Sequence, residues 1–380
     1  MSEYQYYEFL AIDHPLNARQ IAQVREFSTR AEISATRFVN EYHWGDFRGD
    51  PDRFLAEWFD IMVYFANWGT RRMMLSIPAD AVGAGWREYE SEIGLEMRKK
   101  SAHQKTLLDF WSEVEDPEYE EWDEGWMAQL APIRAELLAG DLRALLLGWL
   151  AGLNDGDVEG LEDDSPSPPI PAGLSDLSAA QTALSEFLRV DADLLAVAAR
   201  RSPPLTGADA ELTHWIAALG QAEKDRVLAA MVSGSDPQAG TTLLRRFRQA
   251  AAPSNPIRVP IVELLRESQD IRESREIARR ERAARERARQ LAEALEAREK
   301  RLAALEAEQP RAWREVEQNI ALRQGKAYDQ AVATLKDLHE LAVRRQALKE
   351  FTARLIALRN AHRAKSTLIQ RLERAGFLKS

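Results

Sequence analysis

The chain has 380 residues, of which 45% are hydrophobic and 29% charged, and its net charge at pH 7 is -10. This length predicts two or three folded units with hydrophobic cores. The absence of cysteine excludes a disulfide framework, a thiolate metal site and a cysteine nucleophile, and it fits a reducing cytoplasm. The acidic balance argues against a nucleic-acid binder that uses its whole surface, but not against a local basic patch.

Residues 1–153 mix predicted strands and helices, which is typical of an α+β domain. The aromatic stretch Tyr4–Asp13 predicts the first strand, and Asn17–Ser28 predicts a helix. Asp50 and Pro51 suit the cap and the first position of a second helix. Further strands are predicted over Thr36–Trp44, on both sides of a turn at Asn67–Thr70, and over Leu95–Ser101 and Lys105–Trp111. We expect a ferredoxin-like or similar split arrangement of these strands.

The rest of the chain predicts mainly α-helical modules. An acidic linker rich in Pro and Gly covers residues 154–172, and a helical module follows at residues 173–250. Residues 260–309 predict one long charged helix, and residues 310–380 a basic helical module. The long helix has apolar residues in steps of four and three, the spacing of a coiled-coil seam, interrupted at Arg298. The seam consists of Ala284, Ala288, Leu291, Leu295, Leu302 and Leu305. It predicts a partner helix or self-association.

Charge is distributed unevenly along the chain. From Met1 to about Gly240 there are roughly twenty more acids than bases, and after it about a dozen more bases than acids. This polarity is typical of proteins that hold or position other molecules. No membrane partner is predicted, because the longest apolar run, Leu142–Leu153, is too short to span a bilayer. The first residues lack a secretory signal pattern, so we expect a cytoplasmic protein.

The C-terminal helices carry the strongest candidate for an interaction patch. Its members are Arg344, Arg345, Lys349, Arg354, Arg359, Arg363 and Lys365. Several bases on one face could bind the phosphates of a nucleic acid. The favoured alternative is a solvated face, or a face that docks on the acidic N-terminal half or the acidic linker of the same chain.

Two N-terminal sets of residues have a functional and a simpler interpretation. Glu41, His43 and Asp46 could bind a metal, but a polar strand end before a capped helix is favoured. The second set consists of aromatic residues, Trp44, Phe47, Trp58, Phe59, Tyr64, Phe65 and Trp68. These side chains could form a stacking platform or a peptide groove, although a domain core is favoured. Phosphate-loop, dinucleotide and hydrolase-elbow motifs are absent, so no catalytic residue and no cofactor are predicted.

Three stretches, Tyr6–Pro15 (YYEFLAIDHP), Phe38–Pro51 and Tyr64–Met74, resemble an uncharacterised bacterial protein family that begins with a YYEFLAID-like strand. This resemblance implies no catalytic residue. The tail from Tyr328 to Gly376 resembles the helical C-terminal segment of some SWIM zinc-finger proteins. It implies an interaction or nucleic-acid-associated context, whereas the zinc finger itself is excluded because it needs cysteines.

These observations favour a non-enzymatic adaptor or scaffold that acts through protein–protein interaction. Such a protein would be a component or a protease substrate of a bacterial regulatory or defence pathway. The first alternative is a nucleic-acid-associated factor that binds phosphates through its basic C-terminal helices. The second alternative is a metal-dependent hydrolase that uses Glu41, His43 and Asp46.

Overall fold

The computed structural model describes residues 3–91, 93–115, 125–153, 165–205, 208–251 and 255–377. The chain divides into two compact units, Met1–Ser274 and Arg275–Ser380. An antiparallel sheet forms the N-terminal part and helices follow it, including one long helix. The predicted fold class, an α+β domain followed by mainly helical parts, is therefore confirmed.

Seven strands of the described residues form one sheet. They are β1 (Gln5–Leu10), β2 (Glu32–Ile33), β3 (Arg37–Tyr42), β4 (Ile61–Ala66), β5 (Arg71–Pro78), β6 (Leu95–Lys100) and β7 (Lys105–Ser112). The helices that begin in the first unit are α1 (Ala18–Arg25), α2 (Pro51–Glu57), α3 (Trp126–Leu130), α4 (Pro132–Leu138), α5 (Arg143–Ala151), α6 (Ala179–Phe187), α7 (Ala192–Arg201), α8 (Ala208–Ala218), α9 (Gln221–Ser233), α10 (Ala239–Ala251) and α11 (Ile261–Ala307). Those of the second unit are α12 (Gln309–Ala321), α13 (Gly325–Arg344), α14 (Leu348–Ala361) and α15 (Ser366–Arg374).

The strand order is β2-β3-β1-β4-β5-β7-β6, and neighbouring strands are antiparallel. Because β3 and β4 both run antiparallel to β1, they are parallel to each other, and α2 joins them in a split β-α-β unit around β1. The strands β5 and β6 likewise lie on either side of β7 and run antiparallel to it, so they are parallel to each other. The expected split arrangement is thus present, but the ferredoxin-like expectation is wrong. Its two split units interleave, whereas here they lie side by side.

One face of the sheet holds the larger core. The side chains of Val63, Leu75 and Phe110 on this face are buried, and they belong to one apolar cluster with helices α3 to α7. All nine residues of α5 are buried. A helix that is apolar on every side is typical of a core position, which explains the longest apolar run in the sequence.

The opposite face is only half covered. At one end of the strands, Phe9 and Met62 pack under α1 and α2, where Phe54 is fully buried. Asp50 caps α2 through its side chain and Pro51 occupies its first turn, as predicted. Towards the other end of the same strands, side chains remain partly exposed, and this open half of the face carries the depression described below.

Part of the predicted linker packs against the domain. Residues 154–164 of that linker lie outside the described residues, but Ser167 and Ile170 are buried. The amide of Ser167 donates to the carbonyl of Val259 at 2.7 Å, and that of Ile170 to Ile257 at 2.9 Å. The helices α6 and α7 of the predicted 173–250 module belong to the core of the sheet domain. Composition suggests a separate module from residue 173 onwards, but its first two helices share the core of the sheet domain.

The second unit has its own helical core. Tyr328, Leu335 and Leu338 of α13 are buried, as are Phe351 and Leu355 of α14, so each helix buries one apolar face. In the described part of the chain, none of the helices combines the length and the apolar character needed to cross a bilayer.

Candidate interaction sites

The first two residues of the predicted basic patch form ion pairs within the second unit. The guanidinium of Arg344 lies 2.8 Å from the carboxylate of Glu299 and 2.9 Å from that of Glu340. Arg345 pairs with Glu306. The hydrogen bond from Arg344 lowers the pKa of Glu299. The acidic partners belong to α11 and α13 of the second unit, and not to the N-terminal half or the linker on which the basic face was expected to dock.

Two further members of the patch also have internal contacts. The guanidinium of Arg354 lies 4.7 Å from the ring centroid of Trp313, and the ammonium of Lys365 donates to the carbonyl of Ile320 at 2.9 Å. The remaining three members, Lys349, Arg359 and Arg363, are exposed on α14 and just after it. Four of the seven patch residues therefore make contacts within the second unit, and the other three are exposed.

The three residues considered as alternative metal ligands have separate contacts. Glu41 lies opposite Tyr6 in the register of β1 and β3 and is exposed. His43 packs against the Tyr4 ring at 5.5 Å between centroids. Asp46 accepts from the amide of Phe47 at 2.9 Å. No group of three His, Cys, Asp or Glu residues suited to a metal occurs among the residues whose positions are described.

The predicted aromatic set divides between core and surface. Phe59 and Phe65 are buried, and Trp58 is nearly so, which confirms the core interpretation for them. In contrast, 74% of Trp44 and 41% of Trp68 are exposed to solvent. The exposed indole of Trp68 adjoins the open half of the sheet face.

A shallow depression of about 440 Å³ lies on that open half. Its lining residues are Glu3, Gln5, Tyr7, Gly45, Asp46, Tyr64 and Trp68. Alternation along β1 places Gln5 and Tyr7 on one face, and the register aligns Tyr7 with Tyr64 of β4. Gly45 follows β3 with a φ of 80°, a left-handed conformation that glycine adopts without strain. This turn brings Asp46 back to the depression.

Hydrogen bonds organise the floor of the depression. The hydroxyl of Tyr64 donates to Oε1 of Gln5 at 3.1 Å, and that of Tyr7 lies 3.3 Å from the same oxygen. The Gln5 amide donates to the carbonyl of Gly45 at 3.1 Å. The hydroxyl of Tyr7 also lies 3.4 Å from Oδ1 of Asp46. The two tyrosine rings are 4.5 Å apart between centroids.

Both tyrosines stay protonated at physiological pH. Burial, helped by the charge of Asp46, raises the pKa of Tyr64 to about 12. Burial raises the pKa of Tyr7 further, and the neighbouring Tyr64 and the Asp46 carboxylate act in the same direction. The fixed charge of the lining therefore comes from the carboxylates of Glu3 and Asp46. The sequence placed Tyr64 and Trp68 in a candidate stacking platform and Asp46 in a separate candidate set, but it did not bring them together with Gln5 and Tyr7, because that requires strand register and a loop.

The long helix α11 is bare over most of its length. Every residue from Arg275 to Arg301 in the second unit is exposed, which corresponds to about 40 Å of helix. Ion pairs at four-residue spacing, Glu276–Arg280, Glu281–Arg285 and Glu296–Lys300, lie along this stretch, and each adds about 0.2–0.5 kcal/mol. We call residues 275–301 the bare helix.

The predicted seam is buried at Leu302 but exposed towards its N-terminal end. Leu302 is 2% exposed and packs in the second unit, whereas Leu291 is 63% and Leu295 55% exposed. Ile277, which lies one heptad before Ala284, is 58% exposed. Comparisons with family models, curated proteins and solved structures found no match to this chain. A functional interpretation therefore depends on the geometry of these surfaces.

Proposed function

We propose that this protein is a non-enzymatic cytoplasmic adaptor or scaffold that acts through protein–protein interaction, and that the bare helix binds the partner. The observation that carries this proposal is the exposed apolar seam. Ile277, Leu291 and Leu295 are each more than half exposed, in a stretch of helix whose residues are all exposed. Burying such side chains against a partner releases about 25 cal/mol for each Å² of apolar surface.

The spacing of the seam favours a helical partner. Ala284, Ala288, Leu291 and Leu295 follow one another in steps of four, three and four residues. This spacing keeps them on the side that faces a second helix in a coiled coil. Ion pairs at four-residue spacing support the helix without a partner, so that little ordering entropy is lost on binding. The cytoplasmic location is supported by the absence of cysteine.

Affinity capture with seam variants tests this proposal. Tagged full-length protein is compared with the double variant Leu291→Gln, Leu295→Gln by capture from the native host. The matched control is Arg282→Gln, Arg289→Gln, because these exposed arginines lie on the opposite side of the same helix. Glutamine favours helix in all four positions, and circular dichroism verifies that helix content is unchanged.

We expect the control variant to capture specific proteins that the seam variant no longer captures. Sedimentation velocity of the purified chain identifies the case in which the partner is a second copy. The proposal is refuted if the seam variant captures the same proteins as the control. Nuclease treatment of the eluates separates direct protein partners from proteins bridged by nucleic acid.

A second candidate, binding of nucleic acid through the basic C-terminal helices, is favoured by one observation. Residues 275–380 carry about ten more bases than acids, and Lys349, Arg359 and Arg363 are exposed. Full-length protein should then bind nucleic acid at low salt, and replacing these three residues by Glu should weaken binding. Equal binding by wild type and this triple variant would contradict a role for the patch.

A further inference from the structure

We propose that the depression on the open half of the sheet face is a binding site for an organic cation, an alkylammonium or guanidinium group. It is lined by the rings of Tyr7, Tyr64 and Trp68 and by the carboxylates of Glu3 and Asp46. This site belongs to the first unit and goes beyond the role proposed for the bare helix.

The first argument is the charge of the lining. The described residues that line the depression include two carboxylates and no lysine or arginine. An uncompensated pair of negative charges next to a partly desolvated wall attracts a cation more strongly than it would in bulk water. The surrounding unit amplifies this preference, since acids outnumber bases by about twenty in residues 1–274.

The second argument is the orientation of the polar groups on the floor. The hydroxyl protons of Tyr7 and Tyr64 both have acceptors within reach, Oε1 of Gln5 for either ring and the Asp46 carboxylate for Tyr7. Because these protons are directed within the floor, the hydroxyl oxygens present lone pairs as acceptors. An ammonium or guanidinium group carries only donors, so it complements such a floor.

The third argument is the aromatic surface. The rings of Tyr7 and Tyr64 lie 4.5 Å apart, and Phe47 packs against Tyr7 at 5.0 Å, which fixes the ring positions. Trp68 is partly exposed at the side of the depression. Tyrosine and tryptophan faces attract cations within about 6 Å of the ring centre, and several such faces together form an aromatic cage.

Cations already present nearby do not satisfy the site. The nearest strand neighbour, Arg72, faces Tyr64 in the register, but its guanidinium donates to Asp109, with Nε at 2.7 Å from Oδ1. The charge of Arg72 also acts on Tyr64 of the lining, whereas Arg30 and Arg48 act on Tyr42, which lies outside the lining. Among the described residues, neither Glu3 nor Asp46 forms an ion pair, and the contacts of Asp46 are with the Phe47 amide at 2.9 Å and the Tyr7 hydroxyl at 3.4 Å.

Calorimetric titration of the full-length protein at low salt tests the proposal. The probes are N-acetyl-lysine methylamide and N-acetyl-arginine methylamide, which imitate side chains of a protein partner, and putrescine, which represents a free amine. N-acetyl-norleucine methylamide is the neutral control. We expect saturable binding of at least one cation, with a dissociation constant on the order of 1 mM, and no binding of the neutral control.

Variants locate the binding site. Asp46→Asn and Trp68→Ala should each weaken cation binding by roughly threefold to thirtyfold. Glu41→Gln is the matched control, because it removes one negative charge from the opposite face of the sheet, where Glu41 lies opposite Tyr6. Its affinity should equal that of the wild type. Circular dichroism and thermal unfolding verify that the variants are folded.

The relative affinities of the probes distinguish the possible natural ligands. Tighter binding of a capped amino acid than of putrescine supports a protein side chain as the natural ligand, and the reverse order supports a small amine. The proposal fails if no cation gives saturable heat up to about 10 mM. It also fails if the norleucine derivative binds equally well, or if both Asp46→Asn and Trp68→Ala bind like the wild type.

Discussion

Replacement of Arg134 is the most informative test of what holds the sheet domain together. This side chain on α4 is 4% exposed, and its guanidinium donates to Asp13 at 2.9 and 2.6 Å. Its Nε donates to the carbonyl of Ser76 at 2.9 Å, and the carboxylate of Asp60 lies 3.6 Å away. One buried cation thus connects a helix to the end of β1 and to β5.

The substitution Arg134→Met keeps most of the volume and removes the charge. It leaves the Ser76 carbonyl without this donor and removes the cation that lies 3.6 Å from the buried Asp60. Removing one partner of a buried ion pair costs about 3–5 kcal/mol, because the remaining charge stays desolvated. The matched control is Arg87→Met, which breaks the exposed pair with Glu90 and should cost less than about 1 kcal/mol.

Urea unfolding monitored by tryptophan fluorescence measures the difference. Eight of the ten tryptophans precede Leu150, so the signal reports mainly on the sheet domain. For a slope of about 3 kcal/mol/M, the expected loss moves the midpoint down by about 1–2 M. If Arg134→Met shifted the midpoint no more than Arg87→Met, the buried pair would not be the source of stability assigned to it.

Three further predictions concern packing and pH. Gly152→Ala should destabilise the sheet domain by about 1–3 kcal/mol in the same assay, because a Cβ there would collide with the carbonyl of Ile93; an unchanged midpoint would contradict this. Burial opposes ionisation of Asp141, but the hydrogen bonds and charge of Arg143 lower its pKa below the ordinary 3.8. The stability it contributes is therefore present above about pH 4 and is lost as the pH falls through the lowered value, so Asp141→Asn should reduce the difference between midpoints at pH 5 and pH 3. Leu335→Ala, at a fully buried position, should cost the second unit about 2–5 kcal/mol in unfolding followed by far-ultraviolet circular dichroism; a loss below about 1 kcal/mol would refute the proposed core.

Local patterns in the sequence predict most of the elements. The Asp50–Pro51 pair predicts the start of α2, and the run of Glu, Arg and Ala predicts α11 over nearly its whole length. Both signals arise from neighbours within one or two turns, where capping and side-chain pairs decide the conformation. Such elements can be predicted because their causes are close in the chain.

Contacts between distant segments could not be predicted in the same way. Arg344 meets Glu299 across 45 positions, and the sequence alone cannot distinguish that internal pair from a surface that binds phosphate. The depression likewise requires the register of β1 against β4 and the turn at Gly45. Alternation indicates that Gln5 and Tyr7 share a face, but it does not identify their neighbours on other strands.

The borders of the sheet affect which kinds of partner the first unit can accept. At one border β2 has only two residues, and at the other the amide of Met97 donates to Glu90 while the carbonyl of Leu95 accepts from the amide of Ser91. A short border strand and one with occupied backbone groups are poor templates for an added strand. Recognition by strand addition derives its affinity from the main chain and tolerates many sequences. A partner of this domain would instead be selected by side-chain chemistry, so single substitutions in either protein should be able to break or redirect the pairing during evolution.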